Sequence, residues 1–477
     1  MKFKKQKICL LVFGVLIFSA LNFCYTYSIL NNGHNWGGDF ALYISQAKAI
    51  VNGNTYNLYE ASKASCDGSY ERLNPDVYPL VFPLMLSPIY ALFNLNFVAF
   101  KILVVCCFVV FLCTVCYLIY KKLGAFEAIL IVGLLATSNF FIVFNNNVLA
   151  DVPAMMWIWL GIIIYLFKKE KNTKTILFKF FILGLVLAVA FHTKTLSISV
   201  VGSVLLTELI FYFQNKITLK NLIIKSISFS TVFISVYIFV NFIYPSSSNG
   251  YIQQSSKLTL QIVIDNIWYY TNAPSWFLYD SNTFVWLTFP FVVLGVYHQV
   301  KQNIFLCVLI FVHFLLLILW PYQQGLRFLI FLVPIYYYFA CIGYTFLYEK
   351  FVKNIKLVSL YKLHFMVFYV IIFYSIFIAF SNQTLYKTQD NEIMSNEAKE
   401  LFEFINTKTK YTDKFIFFKP NVLRLLCNRE SIYLLNTNSI RSSKANYWIY
   451  KQGDKLVDTT GLKTMFHNNE FWVFKLK

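Results

Sequence analysis

Asp39 stands in the run Trp36-Gly37-Gly38-Asp39-Phe40-Ala41-Leu42-Tyr43, a few residues past the first long apolar stretch. A carboxylate at a membrane surface, followed by an amphipathic segment rather than another span, points to acid–base chemistry at the lipid–water boundary. Three further sites place ionisable groups beside apolar runs. Asp151 lies in Asn145-Asn146-Asn147-Val148-Leu149-Ala150-Asp151-Val152-Pro153, His192 and Lys194 in Phe191-His192-Thr193-Lys194-Thr195, and Arg327 in Gln323-Gln324-Gly325-Leu326-Arg327-Phe328. Charged groups at membrane depth are costly, so each is a functional candidate first. Two acids and two bases on one face would suit an anionic substrate with a proton-accepting partner. Each also has a plainer use. Asp39 suits a helix N-cap, and Asp151 before Val-Pro suits a first turn. Lys194 and Arg327 suit snorkelling anchors.

The elements that must carry these residues follow from composition. The chain has 477 residues and is 58% hydrophobic, with a mean hydropathy of +0.59. A soluble domain cannot bury so large an apolar share, which makes this a polytopic α-helical membrane protein. A spanning helix needs about 20 apolar residues, and by that rule about eleven spans are expected. They are Ile8–Leu30, Phe97–Tyr120, Ala125–Phe144, Val148–Phe167, Ile176–Phe191, Leu196–Phe213, Leu222–Tyr244, Phe284–Val300, Ile304–Trp320, Leu326–Tyr348 and Leu363–Phe380. The N-terminal basic and apolar segment mimics a signal peptide but is long and has no clear cleavage site, so it reads as a retained anchor.

Orientation follows from the basic clusters: Lys2, Lys4, Lys5 and Lys7; Lys121 and Lys122; Lys168, Lys169, Lys171 and Lys174; Lys216 and Lys220; Lys301; Lys350, Lys353 and Lys356. All fall on one side of the predicted spans, which the positive-inside bias makes cytoplasmic. The N-terminus is then inside and the C-terminal region outside. The apolar segment from Tyr78 to Phe93 would reverse this parity as a span. It is short and holds Pro79, Pro83 and Pro88, so it reads as re-entrant or interfacial rather than one straight helix. Phe40 to Val51, with Phe40, Tyr43, Ile44, Ala47 and Ile50 at helical spacing, reads as an amphipathic helix stopped near Gly53. The second outer loop, Pro245 to Asn282, begins Ser-rich and ends in aromatics that rest on the membrane surface.

Residues 1–380 form the expected membrane domain and residues 381–477 a small extracytoplasmic α/β domain. In the latter, Ala398, Leu401, Phe402 and Ile405 give one helical face and Val422–Leu426 a short helix. Lys414–Phe418, Ser431–Leu435, Tyr447–Lys451 and Glu470–Lys475 read as strands.

Several functions are excluded or disfavoured. The net charge of +19 comes from short clusters between spans, an attraction to anionic membrane lipids, and no nucleic-acid recognition motif accompanies it. Most of the ten cysteines lie in apolar runs and pack there, Cys113 and Cys116 included, despite their redox spacing. Cys66 and Cys427 both fall outside, where a bridge is conceivable. No His/Cys cluster has metal spacing, no glycine-rich loop cradles a nucleotide, and no Gly-x-Ser-x-Gly is present. His298, His313 and His364 read as packing.

The order of these motifs resembles the GT-C superfamily of membrane glycosyltransferases, in the bacterial branch related to protein O-mannosyltransferases and lipid A aminoarabinose transferases. The first outer loop carries the resemblance in Gly38-Asp39-Phe40-Ala41-Leu42-Tyr43, Ala47-Lys48-Ala49-Ile50-Val51-Asn52-Gly53 and Tyr78-Pro79-Leu80 with Pro83. Asp151-Val152-Pro153 resembles the second acid, His192-Thr193-Lys194-Thr195 the Thr-Lys-Gly element, and Arg327 to Pro334 the Arg-to-Pro run of a late span. Phe417-Phe418-Lys419-Pro420 with Cys427-Asn428-Arg429 is similar to an outer-domain motif. Many relatives follow the first Asp with Glu, where this chain has Phe40, so any role of that second carboxylate is not available there.

The resemblance implies a sugar donor carried on a polyprenyl phosphate and an acceptor hydroxyl on a glycan, lipid or protein, with inversion at the anomeric carbon. It implies Asp39 as base or orienting acid and Asp151 as its supporting acid, both in the catalytic set. Lys194 and Arg327 would bind the donor phosphate, and Tyr43, Tyr78 and His192 would bind substrate. No cofactor is required on this reading, and a divalent metal stays open. A transporter or flippase of lipid-linked substrates and a non-catalytic envelope-assembly protein remain as other readings. Single cysteines placed near residues 60 and 390 are expected to react with a membrane-impermeant thiol reagent on intact cells. Labelling only after permeabilisation would reverse the topology.

Overall fold

The computed structural model describes residues 2–70, 75–167, 170, 172–245, 255–278, 280–352, 366–382, 391–453 and 459–476. Lys168, Lys169, Lys171, Lys353, Lys356, His364, the Ser-rich start of the second outer loop and the first residues of the last predicted span lie outside them. Each of the eleven predicted spans coincides with a helix or a broken helix. The first are α1 (Lys2–Ile29), α5 (Phe97–Lys122), α6 (Ala125–Thr137) with α7 (Asn139–Asn145), α8 (Asp151–Phe167), α9 (Thr173–Thr193), α10 (Ile198–Phe213) and α11 (Leu219–Ile243). The others are Asn282–Gln299, Ile304–Ile318, Val333–Leu347 and Met366–Ser381. The segment between α1 and α5, predicted as the first outer loop, adds α2 (Asp39–Val51), α3 (Thr55–Asp67) and α4 (Val81–Phe93).

Only five of the described helices are long and apolar enough to cross a bilayer outright, and α6 with α7, bent by 59°, makes a sixth. Helices such as α8 and Ile304–Ile318 are shorter. A window of about 20 apolar residues counts caps and breaks as helix, which is why the sequence overstates span length. The late predicted span from Leu326 shows one such break. Pro334 has no N–H to donate, so the continuous helix begins at Val333 and keeps the proline in its first turn. The preceding residues form two short 3₁₀ turns, Gly325–Phe328 and Ile330–Leu332. Arg327 therefore rides on a tight turn rather than on a helix face.

The segment after Tyr78 is short, as expected for a non-spanning segment, but the prolines do not break it. It is a single helix, α4, with Pro83 in its first turn and Pro88 inside it. It packs against α2 through Phe82 and Leu86, both fully buried. At 13 residues it is about 20 Å long, short of a bilayer crossing. Helix α2 itself follows the predicted periodicity, with Phe40, Tyr43, Ile44 and Ala47 buried.

Two charged layers end the bundle. At the end where α8 finishes and α9 begins, Tyr165 donates to Glu208 at 2.9 Å. Lys225 pairs with Glu208 and Glu170 at 2.8 Å each, and Lys179 with Glu170 at 2.7 Å. These side chains tie α8, α9, α10 and α11 together, each charge matched by a partner, as burial requires. The opposite end carries Asp39, Asp151, Lys194 and Arg327.

The C-terminal region folds as a five-stranded sheet of order β2-β1-β3-β5-β4. The strands are β1 (Phe415–Ile416), β2 (Ser431–Ile432), β3 (Tyr447–Lys451), β4 (Lys463–His467) and β5 (Phe471–Lys475). β2, β1 and β3 run parallel, while β5 is antiparallel to β3 and β4. Sequence reading missed β4, an edge strand that is mostly exposed and so lacks the apolar alternation of a half-buried strand. It also missed the six-residue helix Thr437–Ser442, capped by Asn436. The predicted helices appear as Asn396–Lys408 and Pro420–Cys427. Cys66 and Cys427 are not joined by a disulfide.

This sheet docks on the first outer loop through one ring. Trp36 packs against Phe402, Phe417, Phe418 and Phe471, with centroids 5.2–6.2 Å apart. Its backbone N–H donates to Glu392 at 2.9 Å. The loop that bears Asp39 is thereby fixed to the C-terminal region as well as to the helices.

Gly295 and Gly343 bring Asn282–Gln299 and Val333–Leu347 into backbone contact. A methyl on Gly343 would strike the carbonyl of Phe291, and one on Gly295 that of Phe339. Gly343→Val is expected to cost about 1–3 kcal/mol or more, because a backbone carbonyl cannot give way. Gly202→Ala, whose methyl would meet Val312 at 3.6 Å, is expected to be neutral or stabilising by up to about 1 kcal/mol. Thermal unfolding in nanodiscs separates the two.

Candidate active site

Three helix ends and a 3₁₀ turn build the site. Asp39 is the first residue of α2, directly after the N-cap Gly38, and its carboxylate bonds to Tyr78 and Arg327. The side chain therefore belongs to the site, while its charge still favours the helix N-terminus. Asp151 holds the same position on α8. At the end of α9 the chain turns extended at Lys194, whose N–H closes on the carbonyl of Ala190 at 2.9 Å. A cation there complements the helix C-terminus. Arg327 arrives on its 3₁₀ turn.

The four side chains form one continuous chain of contacts. The Lys194 ammonium donates to Asp151 Oδ1 at 2.5 Å. Arg327 Nε donates to both oxygens of Asp151, at 2.9 and 3.1 Å. The other end of the same guanidinium lies 2.8 Å from Asp39 Oδ2. Tyr78 donates its hydroxyl to Asp39 Oδ1 at 2.7 Å. Arg327 thus bridges the two acids, using the planar fork of its guanidinium.

Burial separates the roles of the two acids. The Asp151 side chain is fully enclosed, at 0% exposure, while Asp39 is 22%, Arg327 32% and Lys194 15% exposed. Asp151 is the enclosed acid that pairs with both cations. Lys194, Arg327 and Asp151 line a cleft with Phe328, while Asp39, partly exposed, meets Arg327 beside it.

Tyr78 is held from three sides. Its ring stacks on Tyr43 with centroids 4.3 Å apart. The Gln46 amide donates to its carbonyl at 2.8 Å and accepts its N–H at 3.0 Å. Gln46 also donates to the Tyr244 hydroxyl at 2.7 Å. Burial, and then the Asp39 carboxylate, push the Tyr78 phenol well above its ordinary range, so it stays a donor to Asp39. Tyr43 meets Tyr78 by stacking and lies one layer behind the carboxylate.

Lys194 is held over the Phe328 ring, 4.2 Å from its centroid. His313 fixes the carbonyl of Phe328 at 2.8 Å and meets Ser199 Oγ at 2.9 Å. Burial pulls the Lys194 ammonium down to about 8, against the opposing pull of Asp151.

His192 does not join the site. Its ring stacks on Tyr237 and meets Phe191 edge-on, its Nε2 has no hydrogen-bond partner, and it is absent from the cleft lined by Lys194, Arg327 and Phe328. Lys194 leaves the helix after Thr193, whereas His192 remains on the α9 face turned to α11. Gln46, Tyr244, Ser199 and the bridging use of His313 were not foreseen. Only His313, an imidazole in an apolar helix, carried any signal, and it was assigned to packing. Among the described residues no three His, Cys, Asp or Glu side chains cluster as a metal site would require.

Asp151→Ala is expected to cost about 3–5 kcal/mol, the penalty for stranding buried charge. Asp39→Ala, whose carboxylate is partly exposed, is expected to cost less than half of that. Chemical or thermal unfolding of the two variants checks the order.

No protein-family profile matches the chain, and no curated protein matches it in sequence. Solved structures match over nearly its whole length. The apo structure of ArnT from Cupriavidus metallidurans superposes with a TM-score of 0.61 at 11% identity, over 97% of this chain and 98% of that one. The same protein bound to undecaprenyl phosphate gives 0.58 at 10%, with the same coverage. The apo oligosaccharyltransferase of Archaeoglobus fulgidus gives 0.61 at 10%, over 93% of this chain and 69% of that one. The chain therefore has the fold of these solved proteins over nearly its whole length.

Proposed function

We propose that the protein is an integral membrane glycosyltransferase that moves a sugar from a polyprenyl-phosphate carrier to an acceptor hydroxyl on the extracytoplasmic face. The observation that carries this reading is the chain Lys194–Asp151–Arg327–Asp39, which puts two cations beside one reachable carboxylate. The fold likeness supports it, since ArnT has been solved with undecaprenyl phosphate and the archaeal oligosaccharyltransferase with a dolichol-phosphate.

In this mechanism Asp39 accepts the proton of the acceptor hydroxyl, and the hydroxyl oxygen attacks the anomeric carbon from the face opposite the leaving group. The C–O bond to the lipid phosphate breaks, and the phosphate departs with the electron pair. Lys194 and Arg327 neutralise that charge in a low-dielectric cleft, where such contacts count most. Arg327 has a further part. In the resting site it is paired with Asp39, which holds the carboxylate in place. A donor phosphate competes for the same N–H groups, so its arrival frees Asp39 Oδ2 while Tyr78 keeps Oδ1 oriented. Asp151 stays with the cations throughout and keeps them aimed.

Asp39→Asn is expected to lower transfer by about 10²–10⁴-fold in membranes holding correctly folded protein. Full activity would remove Asp39 from the chemistry. Lys194→Ala and Arg327→Ala should raise the KM for donor more than that for acceptor. Unchanged donor kinetics would refute the phosphate clamp. The pH profile gives a third check. Lys194 binds phosphate as a cation, so kcat/KM for donor should fall as pH rises through about 8. In Lys194→Arg, whose guanidinium keeps its proton to above about pH 12, that fall should vanish.

A further inference from the structure

The Phe417-Phe418-Lys419-Pro420 motif brings a second cation toward Asp39 from the C-terminal sheet. Lys419 directly precedes the helix Pro420–Cys427, which packs on α2. Its neighbour Phe418 lies 5.2 Å from the ring of Trp36, three residues before Asp39. Among the described residues the Lys419 ammonium makes no hydrogen bond or ion pair. By contrast Lys451, on the adjacent strand β3, is paired with Glu470 at 3.0 Å and lies over the Trp36 and Phe418 rings. Glu392, which also acts on Lys419, receives the N–H of Trp36.

Packing of Pro420–Cys427 on α2 and of Phe418 on Trp36 brings Lys419 to the α2 side of the C-terminal region, within the electrostatic reach of Asp39. The charges that act on Lys419 are Asp39, Lys451 and Glu392. Those that act on Lys194 are Asp151, Arg327 and again Asp39. Asp39 is the one group common to both sets. A lysine half-sunk in a protein surface with no carboxylate of its own keeps a charge to offer a ligand.

Resting on the transferase reading above, we infer that Lys419 is a specificity residue on the acceptor side: it holds an acidic group, phosphate or carboxylate, carried by a glycan acceptor near the hydroxyl that Asp39 deprotonates. Lys194 and Arg327 then serve the donor anion and Lys419 the acceptor anion, with the base within electrostatic reach of both.

The test uses the full chain in nanodiscs and three alkyl glycosides that share one acceptor hydroxyl: neutral, phosphorylated and uronate. Both transfer from a polyprenyl-phosphate sugar and equilibrium binding of the glycosides are measured. Wild type should prefer the acidic glycosides by roughly tenfold, the worth of one charge-assisted contact. Lys419→Gln should bring acidic and neutral glycosides within about twofold of each other, and Lys419→Arg should retain the preference. Phosphate favoured over uronate, or the reverse, identifies the acidic group. An undiminished preference in Lys419→Gln overturns the inference, as does a wild type that ignores charge or accepts only a hydroxyl peptide. Binding separates this outcome from failure of the transferase reading. Charge-dependent binding lost in Lys419→Gln, without transfer by wild type, upholds the anion site and removes the chemistry.

Discussion

One guanidinium joins two carboxylates, and one end of the bundle is arranged around that contact. Asp151 is fully enclosed, so its charge needs partners of opposite sign in fixed geometry. Lys194 alone would meet one oxygen. Arg327 meets both, and its remaining nitrogen crosses to Asp39. Residues far apart in sequence are thereby held as one unit. The break ahead of Pro334 serves this contact. A helix continuous through Arg327 would fix that side chain to one face, whereas the 3₁₀ turn carries it inward between the starts of α2 and α8.

The two ends of the bundle use buried charge differently. At one end Glu170, Glu208, Lys179 and Lys225 match each other, which fastens four helices and leaves little to offer a ligand. At the other end two cations and one acid remain partly exposed around a fully enclosed acid. The first pattern is a structural clamp. The second leaves charge exposed that a ligand could meet, as the proposed function requires.

The C-terminal sheet is more than an appendage to this site. Trp36 lies between its aromatic residues and the loop that leads to Asp39. The alternation of strand residues explains how the sheet does this. Phe415, Tyr447, Ile449 and Val473 belong to the core continuous with the bundle, while Ile416, Trp448 and Phe474 form a separate cluster on the other face. Docking of one face brings the Phe418–Lys419 corner over α2.

Much of this was legible in the sequence because it depends on local pattern. Apolar runs marked every membrane helix, the 3.6-residue spacing marked α2, and acid or base at the edge of an apolar run marked Asp39, Asp151, Lys194 and Arg327. What composition and local pattern determined was a polytopic helical protein with a C-terminal α/β region and ionisable residues at the ends of its apolar runs. Tertiary structure decided which of those charges meet. It turned His192 away from Lys194, enclosed Asp151 while leaving Asp39 in reach, and recruited Gln46 and Tyr244 to hold Tyr78. Such outcomes depend on where a helix breaks and how neighbouring helices rotate. Hydropathy does not encode either, because it records how much a residue avoids water and not the direction in which its side chain points.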